Sequence, residues 1–180
     1  MKNIILIIFS FVFLNCGRNY EIEEDKAIND IVNDYLKNSR ESNINVGEKN
    51  VFISDALIPI SQIKEDDELM FINNSFKPSD SIIFYQIVNS NTFKNLKYRE
   101  FNKGNLQLDK PYKQSKKSDL KVTDENVLKI IKLSRICFDD NMENGVAVIE
   151  YMVGNEYTTE NGYNGALLLK KVNNKWTYVR

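Results

Sequence analysis

The 180 residues contain no histidine at all. That removes both the commonest general base and the commonest metal ligand from the chain. Cysteine is nearly missing as well, with only Cys16 and Cys137; if Cys16 is modified, Cys137 has no intramolecular partner and no disulfide framework exists. Neither sign of charge is in surplus: 24 Lys and Arg stand against 25 Asp and Glu, a net charge of −1. A chain so balanced makes no electrostatic case for nucleic acid, which is therefore not expected as a partner. Its one basic run, Lys113–Lys117, sits among polar residues and reads as a solvated loop. No apolar run reaches the roughly 20 residues that a membrane-spanning helix needs.

What is present begins with Met1–Gly17. A basic Lys2 precedes an apolar block, Ile4–Leu14, broken only by Ser10, and the stretch closes on Asn15-Cys16-Gly17. A basic start, a short apolar block and a cysteine at its end describe a secretory signal of the lipoprotein type. Phe13-Leu14-Asn15-Cys16 resembles the bacterial lipobox, departing from it at Asn15, where a small residue is usual. The resemblance implies cleavage before Cys16 and acyl chains on that residue. Two or more chains give stable anchoring, because each buried methylene adds about 0.8 kcal/mol. Gly17 rather than Asp after the cysteine points, under Gram-negative sorting, to the outer membrane. The expected organisation is a signal peptide over residues 1–15, a tether over 16–25 and a single α+β domain over 26–180. Loss of Lys2 with the signal moves the net charge from −1 to −2.

Arg18–Asp25 is polar and acidic, which suits a short tether. Lys26–Ser39 follows with Ile28, Ile31, Val32, Tyr35 and Leu36 at helical spacing, so one face should bury against a sheet. Val51–Ser54 and Ala56–Ile60 are short apolar runs, and Pro59 argues against a central strand there and allows an edge or a turn. Glu65–Glu68 is an acidic cluster before Leu69–Ile72. Pro78-Ser79-Asp80 reads as a helix start with a Ser or Asp cap, followed by a helix to Val88, with a strand as the alternative because β-branched residues are dense there. Thr92–Phe101 alternates as a strand would, and Asp109–Asp124 reads as an exposed connection.

The last third carries the clearest pattern. Lys129–Phe138, Val146–Val153, Ala166–Val172 and Lys175–Val179 read as four strands of an antiparallel meander, the last pair joined by Asn173-Asn174. Adjacent asparagines tolerate the positive φ of a two-residue hairpin. Trp176, Tyr178, Leu167, Leu169, Val148 and Tyr151 are the expected core. The fold class is thus α+β, with one or two helices on a mainly antiparallel sheet that ends in a four-stranded meander.

Ser134-Arg-Ile-Cys-Phe138, Val146-Ala-Val-Ile149, Gly162–Lys171 and Lys175-Trp176 together resemble uncharacterised envelope lipoproteins of Bacteroidota-type bacteria. Ser79–Gln86 resembles a helix that often lies upstream in those proteins. The chain departs from them in two places: it lacks the cysteine pair many carry in the Gly-rich loop, and Asn174 replaces a glycine. The resemblance implies a fold and an envelope location and brings no activity with it.

Three local patterns bear on chemistry. Asp139, Asn141, Glu143 and Glu150 match four oxygen positions of a calcium-binding loop, but Asn144 stands where that loop needs glycine. A polar hairpin turn is the expectation, and neither a metal nor a cofactor is assigned. Glu65–Glu68 could supply a carboxylate pair for glycan hydrolysis, although a solvated acidic loop accounts for it. Gly154–Gly165 reads as a loop holding Glu156, Tyr157, Glu160, Asn161, Tyr163 and Asn164. Tyrosines among small polar residues serve adaptable recognition, which makes this the candidate binding loop. Cys137 lies in an apolar strand and reads as a small buried hydrophobe, with no histidine to activate it. The leading expectation is a lipid-anchored envelope protein without catalysis, binding an envelope protein or a small ligand. An envelope glycan hydrolase and an inhibitor or immunity-type partner protein are the alternatives.

Overall fold

The structure is a computed structural model, and it describes residues 2–38, 49–72, 76–116, 128–154 and 159–179. Four helices and a mixed, mostly antiparallel eight-stranded sheet make up an α+β fold. Helix α1 (Lys2–Asn38) is followed by β1 (Lys49–Ile58), α2 (Ile60–Asp66), a 3-10 turn (Glu68–Phe71), α3 (Pro78–Val88) and α4 (Asn91–Asn95). Then come β2 (Arg99–Glu100), β3 (Tyr112–Gln114), β4 (Leu128–Ser134), β5 (Cys137–Phe138), β6 (Asn144–Gly154), β7 (Thr159–Val172) and β8 (Lys175–Tyr178). The sheet order is β2-β1-β4-β6-β7-β8, with β3 on β1 and β5 on β6. All pairings are antiparallel except β1 with β3 and β1 with β4.

The strands β6, β7 and β8 form the expected meander. Asn173 and Asn174 both take positive φ, 51° and 62°, which matches the right-handed twist of the strands they join. The expected strand Lys129–Phe138 is two strands on one edge of β6, interrupted at Arg135-Ile136. Gly145 pairs with Phe138 just past that interruption, and a Cβ there would meet the Phe138 ring at 2.9 Å. Only glycine lets the two strands approach at that point.

Alternation sends residues of each strand to two different cores. Ile131, Leu133, Ala147, Ile149, Tyr151, Leu167, Leu169 and Trp176 face α1, whose Ala27, Ile28, Ile31, Val32 and Leu36 are fully buried against them. The helical stripe thus packs on the C-terminal sheet, as its spacing predicts. Val146, Val148, Ala166 and Leu168 face the other way, onto Ile60, Phe71, Phe84, Ile87, Val88 and Phe93 of the α2–α4 layer. Val148 therefore belongs to the second core rather than to that of Trp176.

Four expectations are corrected. The acidic stretch Arg18–Asp25 is not a loose tether but part of α1, because Glu24 is buried against arginines from elsewhere in the chain. Pro59 does not weaken β1; it lies just past Ile58 and leads into α2, so β1 pairs on both sides. Thr92–Phe101 is not a strand: the Ser90 hydroxyl accepts the Phe93 amide and starts α4, leaving only Arg99–Glu100 extended. Asp109–Asp124 is not wholly exposed, since Tyr112 is buried and donates its hydroxyl to the Leu36 carbonyl at 3.0 Å, although 117–124 lie outside the described residues. The helix expected from Pro78 to Val88 is α3, with Pro78 in its first turn and Lys77, rather than Ser or Asp, at the cap.

Candidate functional site: the uncovered half of the sheet

Polar groups concentrate where α1 first meets the sheet. Glu24 is fully buried, and its carboxylate accepts from Arg135 Nε at 2.8 and 3.0 Å and from the Ile136 amide at 2.8 Å. Arg99 Nε lies 2.9 Å from the same carboxylate as an ion pair, and its guanidinium also bonds Asp25. Burial pushes the Glu24 carboxyl up, and Arg135, the Ile136 amide and Arg99 oppose that push. Tyr20 donates to the Ile136 carbonyl at 2.6 Å, with burial raising its pKa. Arg135 also donates to the Lys97 carbonyl at 2.6 Å. Ser134 Oγ donates to the Arg135 carbonyl and accepts the Val148 amide. The whole stretch Ser134–Phe138 is buried. Its residues are occupied in holding the β4–β5 interruption against α1, which makes the junction structural.

On the opposite face of the sheet the described residues leave more side chains half-buried or exposed. Helices α2–α4 cover it only around Val146, Val148, Ala166 and Leu168. Beyond them, Phe52, Ile130 and Met152 lie side by side across β1, β4 and β6, all half-buried. The next row holds Lys132, Glu150 and Asn164, with Lys132 and Glu150 paired at 3.0 Å. Lys103 sits over the Phe52 ring, 5.0 Å from its centre. Among the described residues, none of Phe52, Ile130 and Met152 packs with the α2–α4 core. An apolar row beside a charge-paired row can bind a partner through contact area, with the ion pair fixing orientation.

The candidate binding residues reach this half differently from the sequence expectation. The stretch Gly154–Gly165 is not a long loop: β7 already starts at Thr159, and Glu160, Tyr163 and Asn164 pair with Val153, Tyr151 and Glu150. Asn161 is also in β7. Glycines and asparagines suggest a loop locally, but β6 supplies a ladder for them from Thr159 onward, with a register shift between Tyr151 and Val153. Asn164 is exposed in the open half, beside Glu150. Glu156 and Tyr157 lie outside the described residues. The row Phe52, Ile130 and Met152 was not legible as a site, because its signal is the absence of a covering element.

The other candidates fall apart or stay ordinary. Asp139 is occupied by the amides of Glu143 and Asn144 and by the Asn144 side chain, which makes it the organiser of a hairpin turn. Glu150 pairs with Lys132 on the sheet, so the oxygen set does not converge. Among the described residues no group of three metal-ligating side chains forms. Cys137 is a free, buried thiol whose pKa is pushed up to about 11 by burial, with Ser90 Oγ 3.8 Å away. Glu65 and Glu68 line a cavity of about 350 Å³ with Ser61, Lys64, Val88, Asn89, Phe93 and Lys94. Two lysines share the walls with those two carboxylates. No protein-family model, no curated protein and no solved structure matches the chain.

Proposed function

We propose that this is a lipid-anchored protein of the bacterial cell envelope, acylated at Cys16, and that it works by binding rather than by catalysis. The observation that carries the reading is the order Lys2, Ile4–Leu14, Cys16-Gly17. No described helix is long and apolar enough to cross a membrane. Gly17 favours the outer membrane. The uncovered half of the sheet, with Phe52, Ile130, Met152, Lys132, Glu150 and Asn164, is the surface offered to an envelope protein or a small ligand.

The test is intact mass and detergent partitioning of the protein made in its native host, against Cys16→Ala. Wild type is expected to carry acyl mass on an N-terminal Cys16 and to enter the detergent phase, and the variant to stay aqueous. Wild type of unmodified mass in the aqueous phase would sink the proposal.

A further inference from the structure

The groove where α2 faces the α3–α4 corner gathers charges of both signs. Ser61, Lys64, Glu65 and Glu68 follow one another at three- and four-residue spacing, which puts them on one side of α2 and the turn after it. On an unbroken helix Lys64 and Glu68 would stand one turn apart, within pairing reach. The helix is broken between them: α2 ends at Asp66, and Asp67 leaves helical geometry at φ −147° and ψ 88°. The Asp67 carboxylate then accepts the Leu69 amide, which fixes Glu68 at the start of the 3-10 turn. From the α4 side, the Ser90 hydroxyl accepts the Phe93 amide at 3.1 Å and so sets the backbone that carries Lys94 into the wall. Among the described residues, none of Lys64, Glu65, Glu68 and Lys94 has an ion-pair partner.

The space these side chains line is about 350 Å³, near the lower bound of ligand pockets, which begin at about 300 Å³. Val88 and Phe93, both packed into the core of the layer, give it an apolar part. Asn89 donates through Nδ2 to the Tyr85 carbonyl at 2.8 Å, so its Oδ1 remains as an acceptor. A ligand with a single charge would meet as many repelling as attracting side chains here. A ligand that carries an ammonium and a carboxylate close together satisfies both kinds at once. The small volume favours a free amino acid or a dipeptide over anything larger.

We propose that this groove binds a small zwitterion of the amino-acid or dipeptide class, its ammonium toward Glu65 and Glu68 and its carboxylate toward Lys64 and Lys94. The site shares no residue with the uncovered sheet half and does not depend on acylation at Cys16. The experiment titrates the isotope-labelled full chain, in detergent micelles, with L-alanyl-L-alanine and follows the backbone amide shifts. The N-acetyl and C-amide forms of the same dipeptide each lack one charge. Saturable shifts at Ser61, Glu68, Asn89 and Lys94 are expected, with affinity several-fold weaker for either blocked form. Glu68→Lys and Lys94→Glu, both at exposed positions, should weaken binding to a similar degree at an unchanged thermal midpoint. Equal binding of a blocked form overturns the proposal. So does the lack of any saturable shift at about 20 mM dipeptide, well above the Kd that a modest ligand of this size reaches. Shifts confined to Ile130, Lys132 and Glu150 overturn it in favour of the uncovered sheet half.

Discussion

The two faces of the sheet are built on different terms. Under α1, one helix covers strands from β1 to β8, and polar side chains fasten it along its length. Glu23 accepts from the Trp176 indole at 2.7 Å and pairs with Lys171; Asp30 accepts the Trp176 amide; Asn33 bonds the Gln107 carbonyl and the Asp109 amide. Under α2–α4, the core is aromatic and the ties are few, chiefly Asp80 to Lys170 at 2.6 Å and the Ser90–Cys137 contact. Among the described residues that layer packs on Val146, Val148, Ala166 and Leu168 and not on Phe52, Ile130 or Met152. The first face is fastened by polar ties as well as apolar contact, and the second chiefly by apolar contact.

The largest way to break this contrast is Glu24→Ala. It leaves Arg135 buried without its counter-charge and Arg99 with Asp25 alone, which costs about 3–5 kcal/mol, and urea denaturation measures it. On the other face, Phe84→Ala empties a fully buried site against Phe71 and Phe76 and is expected to cost about 3–4 kcal/mol. Met152→Ala, in the uncovered row, should cost less than about 1 kcal/mol, since a half-exposed side chain has little to lose. Equal losses at 84 and 152 would mean the row is core rather than open surface.

A smaller effect sharpens the contrast through pH. Burial alone would raise the Glu23 carboxyl, but hydrogen bonds from Lys171 and Trp176 prevail and hold it below its ordinary 4.5. A carboxylate lowered by folding stabilises above its unfolded pKa and loses that contribution as pH falls through the folded value. The thermal midpoint of wild type should therefore fall more steeply than that of Glu23→Gln between about pH 6 and about pH 3. Parallel curves would show that the α1 ties do not carry weight.

The limits of the sequence as a guide follow the same contrast between local and distant causes. The β7–β8 hairpin is legible because alternation and Asn173-Asn174 are local signals, and the α1 stripe and α3 are legible for the same reason. The acidic run Glu21–Asp25 looks like a solvated tether because its counter-ions, Arg99 and Arg135, lie far along the chain. Tyr112–Gln114 looks like loop because three residues become a strand only beside β1. The parallel pairing of β1 with β4 leaves no mark in either stretch alone. Of the candidate site, Asn164 was legible as a residue but not as part of a strand, and the apolar row depends on what α2–α4 fail to reach.

Trp176 gives the fold a direction in time. Its indole and amide close onto Glu23 and Asp30, 153 and 146 positions earlier. Strands β1, β4, β6 and β7 offer α1 its apolar seat earlier in the chain, but the polar ties to Glu23 and Asp30 wait for β8. The last strand to be made is thus the one that fastens the first helix.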